Sequence, residues 1–360
     1  MPRVSVIVPV RNEAAHIRRT LAGLARQAFP AADFEILVID GSSSDDTVAV
    51  VRDVQQTVPN LHLLFNPKQL SSAARNVGVR HARGEFVVIV DGHCEIRDPN
   101  YLDRLVEAFE TSGADSLGRP QPLRADRPTP FQTAVAAART SWLGHNPDSA
   151  IYSDRARFVD PDNVAVAYRR EVFDAVGSFD ESFDACEDVE FNTRCRRAGM
   201  SCYFTPAIAV DYRPRHTLGG LAYQMARYGR GRCRLGRKFP STITIPGLVP
   251  PVWLVWLGLG GLASLLWPVA GLVLSATVLV YLAVILAESA RVRWSVQGVS
   301  FPRLPLVFAA IHVGFGWGFL AELVAGMRPF GLAFALGRAL RARLAGWAAK
   351  PLAAPSPRSV

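Results

Sequence analysis

The first hundred residues alternate between two hydrophobic rhythms. Strand-like, mostly apolar runs occupy residues 4–8, 35–39, 61–65 and 86–90. Between them, apolar residues return at helical spacing, as with Ile17, Leu21 and Leu24 inside the stretch 14–26. Two more helices are read over 46–56, just after the N-cap candidates Ser44-Asp45, and over 71–81, after a proline-containing loop. Short apolar runs joined by helix-period segments predict an α/β chain. Its sheet should be parallel and doubly wound, with helices on both faces.

The last third has a different pattern. No Asp, Glu, Lys, Arg or His occurs between Lys238 and Glu288. That stretch holds two membrane helices of about 20 residues each. They are expected near 248–266 and 269–287, as a tight hairpin around Pro268, with Trp253, Trp256, Trp267 and Tyr281 marking interfaces. A third apolar run, 304–327, carries only His312 and Glu322. If it spans, the basic tail with Arg328, Arg338, Arg341 and Arg343 ends outside. If it is re-entrant, or a fourth span follows, the tail stays inside. Residues 330–347 mix arginines with apolar residues and are candidates to lie flat at the interface. The expected division is a domain over 1–238, a membrane module over 239–328 and a basic tail over 329–360.

Composition changes the picture only when it is split. The 360 residues are 49% hydrophobic and carry a net charge of +9, which by itself suggests nucleic acid or a membrane surface. Residues 1–238 hold 31 basic and 29 acidic residues, whereas 239–360 hold 9 and 2. The excess therefore belongs to the membrane module and its flanks. No nucleic-acid recognition motif accompanies it, so nucleic acid is not an expected partner. The five cysteines (Cys94, Cys186, Cys195, Cys202 and Cys233) form no CxxC pair and read as reduced thiols rather than zinc ligands. The chain enters its first strand pattern without a charged leader. The expectation is a multi-pass protein of the cytoplasmic membrane, with residues 1–238 in the cytoplasm.

In doubly wound sheets, ligands bind beyond the carboxyl ends of the strands. Pro9-Val10-Arg11-Asn12-Glu13 follows the first run, Asp40-Gly41-Ser42-Ser43-Ser44-Asp45-Asp46-Thr47 the second, and Asp91-Gly92-His93 the fourth. Three strand ends thus deliver polar and acidic residues towards one crevice. These segments, with Ala74-Arg75-Asn76-Val77-Gly78 and Glu187-Asp188-Val189-Glu190-Phe191, resemble the motifs of family-two glycosyltransferases of GT-A fold over about residues 3–238. The Asp-Gly-His variant and the trailing apolar helices look most like membrane-anchored succinoglycan-type glucosyltransferases.

The resemblance implies a nucleotide-diphosphate sugar donor and a divalent ion. Asp91 and His93, on either side of Gly92, would hold the ion. Imidazole and carboxylate together suit Mn²⁺, and Mg²⁺ prefers oxygen. The family pattern is Asp-x-Asp, so His93 either ligates directly or supports from behind. Asp40, beside Gly41, would accept the uracil N3–H. The plain alternative is a turn-forming aspartate bonded to nearby backbone N–H groups. Pro9, Arg11 and Glu13 would border the nucleotide, although Glu13 also reads as a first-turn helix acid. Arg75 would face the diphosphate with its donor fork. Asp188, next to Glu187 at a helix N-terminus, is assigned as the general base by resemblance. Both acids also read as capping groups, and Glu190 as solvated or helix-supporting.

Asp160-Pro161-Asp162 and Phe179-Asp180-Glu181 are placed on the acceptor side, with ordinary turn chemistry as the alternative. Arg227, Arg230, Arg232, Arg234, Arg237 and Lys238 crowd the segment before the apolar run. Arg227 and Arg230 are expected near donor or lipid-linked phosphates, and the later residues at anionic headgroups. The expected function is inverting transfer from a UDP-sugar to a lipid-linked saccharide in surface-glycan synthesis. The rivals are a processive synthase and a nucleotide-sugar-binding scaffold without turnover.

Overall fold

The computed structural model describes residues 1–145 and 150–326. The tail 329–360, with Arg328 and the stretch 330–347, lies outside the described residues.

The predicted alternation is present. Strand β1 (Val4–Val10) leads to α1 (Ile17–Ala25), β2 (Phe34–Asp40) to α2 (Thr47–Gln55), β3 (Leu61–Phe65) to α3 (Ser71–His81), and then comes β4 (Phe86–Ile89). These four strands are parallel, in the order β3-β2-β1-β4. Every residue of β2 is buried, as expected where helices cover both faces. Alternate side chains serve two cores. Val6, Val8, Ile36 and Val38 pack with Ile17 and Leu21, whereas Ile7, Leu37 and Ile39 pack with Ala74 on the other face.

Beyond β4 the sheet is mixed, and the whole is the mostly parallel sheet that the GT-A resemblance implies. The later elements are β5 (Cys94–Glu95), α4 (Tyr101–Ser112), β6 (Ser116–Gly118), α5 (Pro130–Arg139), β7 (Arg157–Phe158), β8 (Ala165–Arg169), α6 (Glu171–Val176), α7 (Glu187–Arg197), β9 (Cys202–Phe204) and β10 (Asp211–Tyr212). The order continues β8-β6-β9-β7, with β8 antiparallel to both β4 and β6. Strand β10 pairs with β5 in a separate two-stranded sheet.

Four long helices follow: α8 (Leu218–Lys238), α9 (Ile245–Ser264), α10 (Pro268–Ser295) and α11 (Arg303–Ala325). The last three are long and apolar enough to cross a membrane. Helices α9 and α10 form the expected hairpin. Trp253 stacks on Tyr281 at 5.0 Å, and Trp256 Nε1 donates to Thr277 Oγ1 at 3.0 Å. These aromatics pair within the hairpin rather than marking its ends. Apolar side chains of α9 and α10 are exposed along most of their length.

Helix α11 differs. It lies parallel to α8 with backbones almost touching. A Cβ added to Gly318 would sit 1.9 Å from the Ala226 carbonyl oxygen, and one on Gly229 would sit 2.0 Å from that of Phe315. Its large exposed apolar side chains, Leu306, Val313, Trp317 and Val324, fall at helical spacing along one stripe. Leu304, Val307, Phe308 and Ile311 are buried with Ala134 and Val135 of α5 and with Ile285 and Val292 near the end of α10.

Candidate active site

The crevice opens at the carboxyl ends of β1, β2 and β4. The first two loops lock together: Asn12 N–H donates to Ser43 Oγ at 2.9 Å, and Glu13 N–H donates to Thr47 Oγ1 at 2.8 Å. Asn12 and Ser42 both adopt positive φ, 56° and 57°, in these turns. Pro9 lies in β1 opposite Ile39, and Gly41 N–H returns to the Val10 carbonyl at 2.8 Å. Asp40 is buried and accepts Ser43 N–H at 3.1 Å, so the turn-forming geometry is present. Arg11 points outward and donates to Gln69 Oε1 at 2.7 Å.

Glu13 and His93 meet, although they are 80 residues apart in sequence: Glu13 Oε1 lies 2.9 Å from His93 Nδ1. Gly92 permits this turn, because a Cβ there would stand 2.7 Å from Val10 Cγ1. The His93 ring sits edge-on to Tyr212 at 4.8 Å, a neighbour delivered by the small β5–β10 sheet. Burial disfavours a charged His93, but the Glu13 hydrogen bond and the Glu13 and Asp91 charges outweigh it and raise the pKa. His93 Nε2 is buried without a hydrogen-bond partner.

Arg75 is the hub of the acids. It is buried on α3, 3.2 Å from Glu187 Oε1 and 3.8 Å from Asp91 Oδ1, with its guanidinium 5.5 Å from the Phe179 ring centre. Burial opposes its charge, yet Glu187, Asp188 and Asp91 raise its pKa and hold it protonated. Its Nε is buried and unpartnered. Glu187 and Asp188 occupy the first turn of α7, where the helix dipole favours anions, after Cys186 at φ 61°. Asp188 Oδ1 accepts Val189 N–H at 2.9 Å.

Of the two readings for Glu190, the structure supports the helix-supporting one, through an i,i+4 pair with Arg194, and not the solvated one. Glu190 is fully buried, accepts two guanidinium bonds of 2.8 Å from Arg194 and lies 2.8 Å from Lys238 Nζ. Asn76 donates to the Phe179 carbonyl at 2.9 Å and to Glu181 at 3.0 Å, which fixes the loop before α7. Asp180 holds Lys238, and Asp162 holds Arg196.

The basic segment on α8 is largely engaged. Arg227 donates to the Asp184 carbonyl, and Arg230 lies 3.7 Å from the Asp184 carboxylate. Arg234 reaches Asp184 at 3.1 Å and Glu322 of α11 at 2.9 Å, and Arg237 also pairs with Glu322. Arg234, Arg237 and Lys238, expected at headgroups, instead neutralise carboxylates of their own chain. Gly231 lets α8 approach the loop closely, since a Cβ there would lie 2.6 Å from the Ala185 carbonyl oxygen.

Glu13, His93, Asp91, Arg75, Glu187 and Asp188 are therefore brought together, with Asp40 behind the interlocked loops. Arg227 and Arg230 reach only the Asp184 loop. Sequence reasoning passed over Arg119, whose Nη2 donates to the Ile89 carbonyl at 3.2 Å while Nε and Nη1 lie buried and unpartnered. It also passed over Tyr212, Arg139, His145 and Arg215. The strands that position Arg119 and Tyr212, β6 and β10, are three and two residues long, too short for a periodic signal.

A mostly parallel sheet with an acid-bearing crevice at its strand ends, followed by apolar helices, defines a GT-A-fold glycosyltransferase. The chain belongs to glycosyl transferase family 2, whose profile matches residues 5–177. It is 32% identical over 245 residues to the succinoglycan biosynthesis protein ExoA of Rhizobium meliloti, covering 68% of this chain and 72% of that protein. A second relative is the dolichyl N-acetyl-alpha-D-glucosaminyl phosphate 3-beta-D-2,3-diacetamido-2,3-dideoxy-beta-D-glucuronosyltransferase of Methanococcus voltae. It is 23% identical, over 91% of this chain and 99% of that one. Among solved structures, the mannosyltransferase PcManGT of Pyrobaculum calidifontis, in complex with GDP-Man and Mn²⁺, aligns at TM-score 0.49 with 19% identity, over 96% of this chain and 80% of that chain. The protein is a family 2 glycosyltransferase.

Proposed function

We propose that the chain transfers a sugar, with inversion, from a UDP-sugar to a lipid-linked glycan at the membrane. The observation that carries this reading is Asp188. One carboxylate oxygen is pinned by Val189 N–H, and none of the described residues hydrogen-bonds the other. It stands on the turn that also bears Glu187, the partner of Arg75. A carboxylate so held can take the proton of an acceptor hydroxyl as that oxygen attacks the anomeric carbon. One displacement needs no carboxylate nucleophile, so an α-linked donor gives a β-linked product. Glu187 orients Arg75, whose unpartnered Nε and protonated fork suit the donor's diphosphate. Asp40 takes the uracil N3–H on a carboxylate that Ser43 N–H orients but does not saturate.

The family implies a divalent ion, and the donor set fits one. Among the described residues no three His, Cys, Asp or Glu side chains gather as a metal site. Two donors do suffice when phosphate oxygens complete the shell. Asp91 offers oxygen, and His93 offers an unpartnered Nε2 while Glu13 engages its other ring nitrogen, the usual support for a ligating imidazole. When bound, the ion would neutralise charge on the departing nucleotide diphosphate. Arg227, Arg230 and Arg234 act by clamping the Asp184 loop that leads into the acids.

The membrane reading rests on α9 and α10. Twenty residues of α9, about 30 Å at 1.5 Å per residue, match the hydrocarbon core. Helix α11 is flanked along its length by the cationic α8, which hydrocarbon does not accommodate. The reading is therefore a two-helix hairpin, with α11 at the interface and exposing one apolar stripe. In this arrangement α11 ends on the side of the catalytic domain. The M. voltae relative, named as acting on a dolichyl-phosphate-linked sugar, supports a lipid-linked acceptor.

The test is transfer from a panel of UDP- and GDP-sugars with Mn²⁺ or Mg²⁺. Asp188→Asn should abolish transfer while sparing nucleotide binding, and near-normal turnover would overturn the base assignment. Asp91→Ala should lose metal-dependent donor affinity, and unchanged affinity would count against it as a ligand.

A further inference from the structure

Most of the positive charge that the sequence crowds on α8 is engaged. Arg230, Arg234, Arg237 and Lys238 reach the carboxylates of Asp184, Glu322, Asp180 or Glu190, and Arg227 reaches the Asp184 carbonyl. Arg139 and Arg215 pair with no acid among the described residues. Arg139, the last residue of α5, lies 5.8 Å from the Tyr228 ring centre and hydrogen-bonds Tyr152. Arg215 follows β10, and its Nε is buried without a partner. His145 packs edge-on to Tyr152 at 4.8 Å, with Nε2 also buried and unpartnered. Burial first, and then the charges of Arg139 and Arg232, push the His145 pKa down to about 4.

These groups are continuous with the reacting centre. The His93 ring meets Tyr212, and Gln224 Nε2 donates to the hydroxyls of Tyr212 at 2.9 Å and Tyr228 at 3.4 Å. Tyr228 in turn lies under Arg139. Gln132 of α5 donates to the Pro214 carbonyl at 2.9 Å, fixing α5 to the Arg215 segment. The other end of the group faces the membrane side. Trp142, three residues past Arg139, is 83% exposed, as an interfacial tryptophan would be, and the Leu143 carbonyl lies 2.9 Å from His312 Nε2 of α11.

We propose that Arg139 and Arg215, with His145 and Tyr152, form a cradle for the phosphate of the lipid-linked acceptor, at headgroup depth beside the catalytic crevice. The proposal rests on the transfer reading above and names the residues that hold that acceptor. Two guanidinium forks suit a phosphate, and neutral imidazole and phenol groups add donors. The same chemistry would take a free diphosphate, so the test separates the two sources.

The test uses the full chain in detergent with UDP at saturation, so that the donor site is filled. Farnesyl diphosphate is titrated and followed by tryptophan fluorescence, with farnesol and inorganic pyrophosphate as competing arms. Arg139→Gln and Arg215→Gln should each weaken farnesyl diphosphate by about tenfold or more, and a smaller loss overturns the cradle. Arg139→Lys, which keeps the charge, should recover part of that loss, and a lysine variant no better than glutamine also overturns it. Pyrophosphate binding as tightly as farnesyl diphosphate makes this a free-diphosphate site and overturns the lipid source, as does farnesol binding equally well. UDP affinity, titrated separately, should be unchanged in every variant. A parent protein that binds no UDP-sugar would instead overturn the transfer reading.

Discussion

Gly318→Ala tests whether the membrane-side helix and the catalytic wall move as one body. The added Cβ would lie 1.9 Å from the Ala226 carbonyl oxygen and 2.6 Å from its carbonyl carbon. The obstacle is backbone, so no rotamer change relieves it. Restoring an ordinary contact of 3.4 Å requires α8 and α11 to part by about 1.5 Å. Overpacking of this kind costs about 1–3 kcal/mol, partly offset by the roughly 1 kcal/mol that alanine gains over glycine in a helix. At about 2–4 °C per kcal/mol, a fall of a few degrees in Tm is expected. Activity should suffer more. Helix α8 carries Tyr228 and the arginines that clamp the Asp184 loop, and a 1 Å misplacement can cost on the order of 100-fold in rate. The assay is sugar transfer and thermal unfolding of the full chain, with Gly258→Ala as control. A Cβ at Gly258 meets nothing within 4 Å, so that variant should be neutral or slightly stabilised. If Gly318→Ala matched the parent in both rate and Tm, the claim that α11 and α8 form one packed seam would be refuted.

Asp180 is held at a pKa of about 2, below its ordinary 3.8; burial opposes ionisation, but the Lys238 and Ser182 hydrogen bonds outweigh it. A depressed pKa stabilises the fold above the unfolded value and is lost as pH falls through the folded one. Asp180→Asn should therefore cost about 1–2 kcal/mol at pH 7, the smaller figure allowing for screening at half-exposed Lys238. The gap to the parent should narrow between about pH 4 and pH 2 in denaturant titrations, and a gap independent of pH would refute the assignment. Glu190→Ala should cost about 3 kcal/mol or more by the same method, because it strands Arg194 and Lys238 around a buried position; a cost near zero would mean the site is solvated. Burial pushes the thiols of Cys94, Cys186 and Cys195 up to about 12 and those of Cys202 and Cys233 up to about 11. All five should resist maleimide at pH 7 until the protein is denatured, as read by mass spectrometry. In that silent background, Ala325→Cys, at the exposed end of α11, should react with an impermeant maleimide from the side of the catalytic domain, and labelling from the opposite side would refute the hairpin reading.

The sequence by itself determined the strand–helix alternation, the three acid-bearing strand ends and the uncharged hairpin. Each is a local pattern. A strand buried on both faces must be largely apolar, a crossover helix must repeat near 3.6 residues, and a span must lack charge. Only the tertiary structure decided which charges meet. Nothing near Glu13 in sequence announces His93, nothing near Arg75 announces Glu187, and Glu322 looked like a lone acid in an apolar run until α8 laid Arg234 and Arg237 beside it. The same packing left Arg139 and Arg215 with no carboxylate partner among the described residues while it paired Arg230, Arg234 and Arg237 of α8 with acids. The physical reason is that periodicity is set by a residue's immediate neighbours, whereas the environment of a charge is set by whatever the folded chain brings within a few ångströms. For this protein those partners come from strands too short to show a period and from loops and helices 80 or more residues apart.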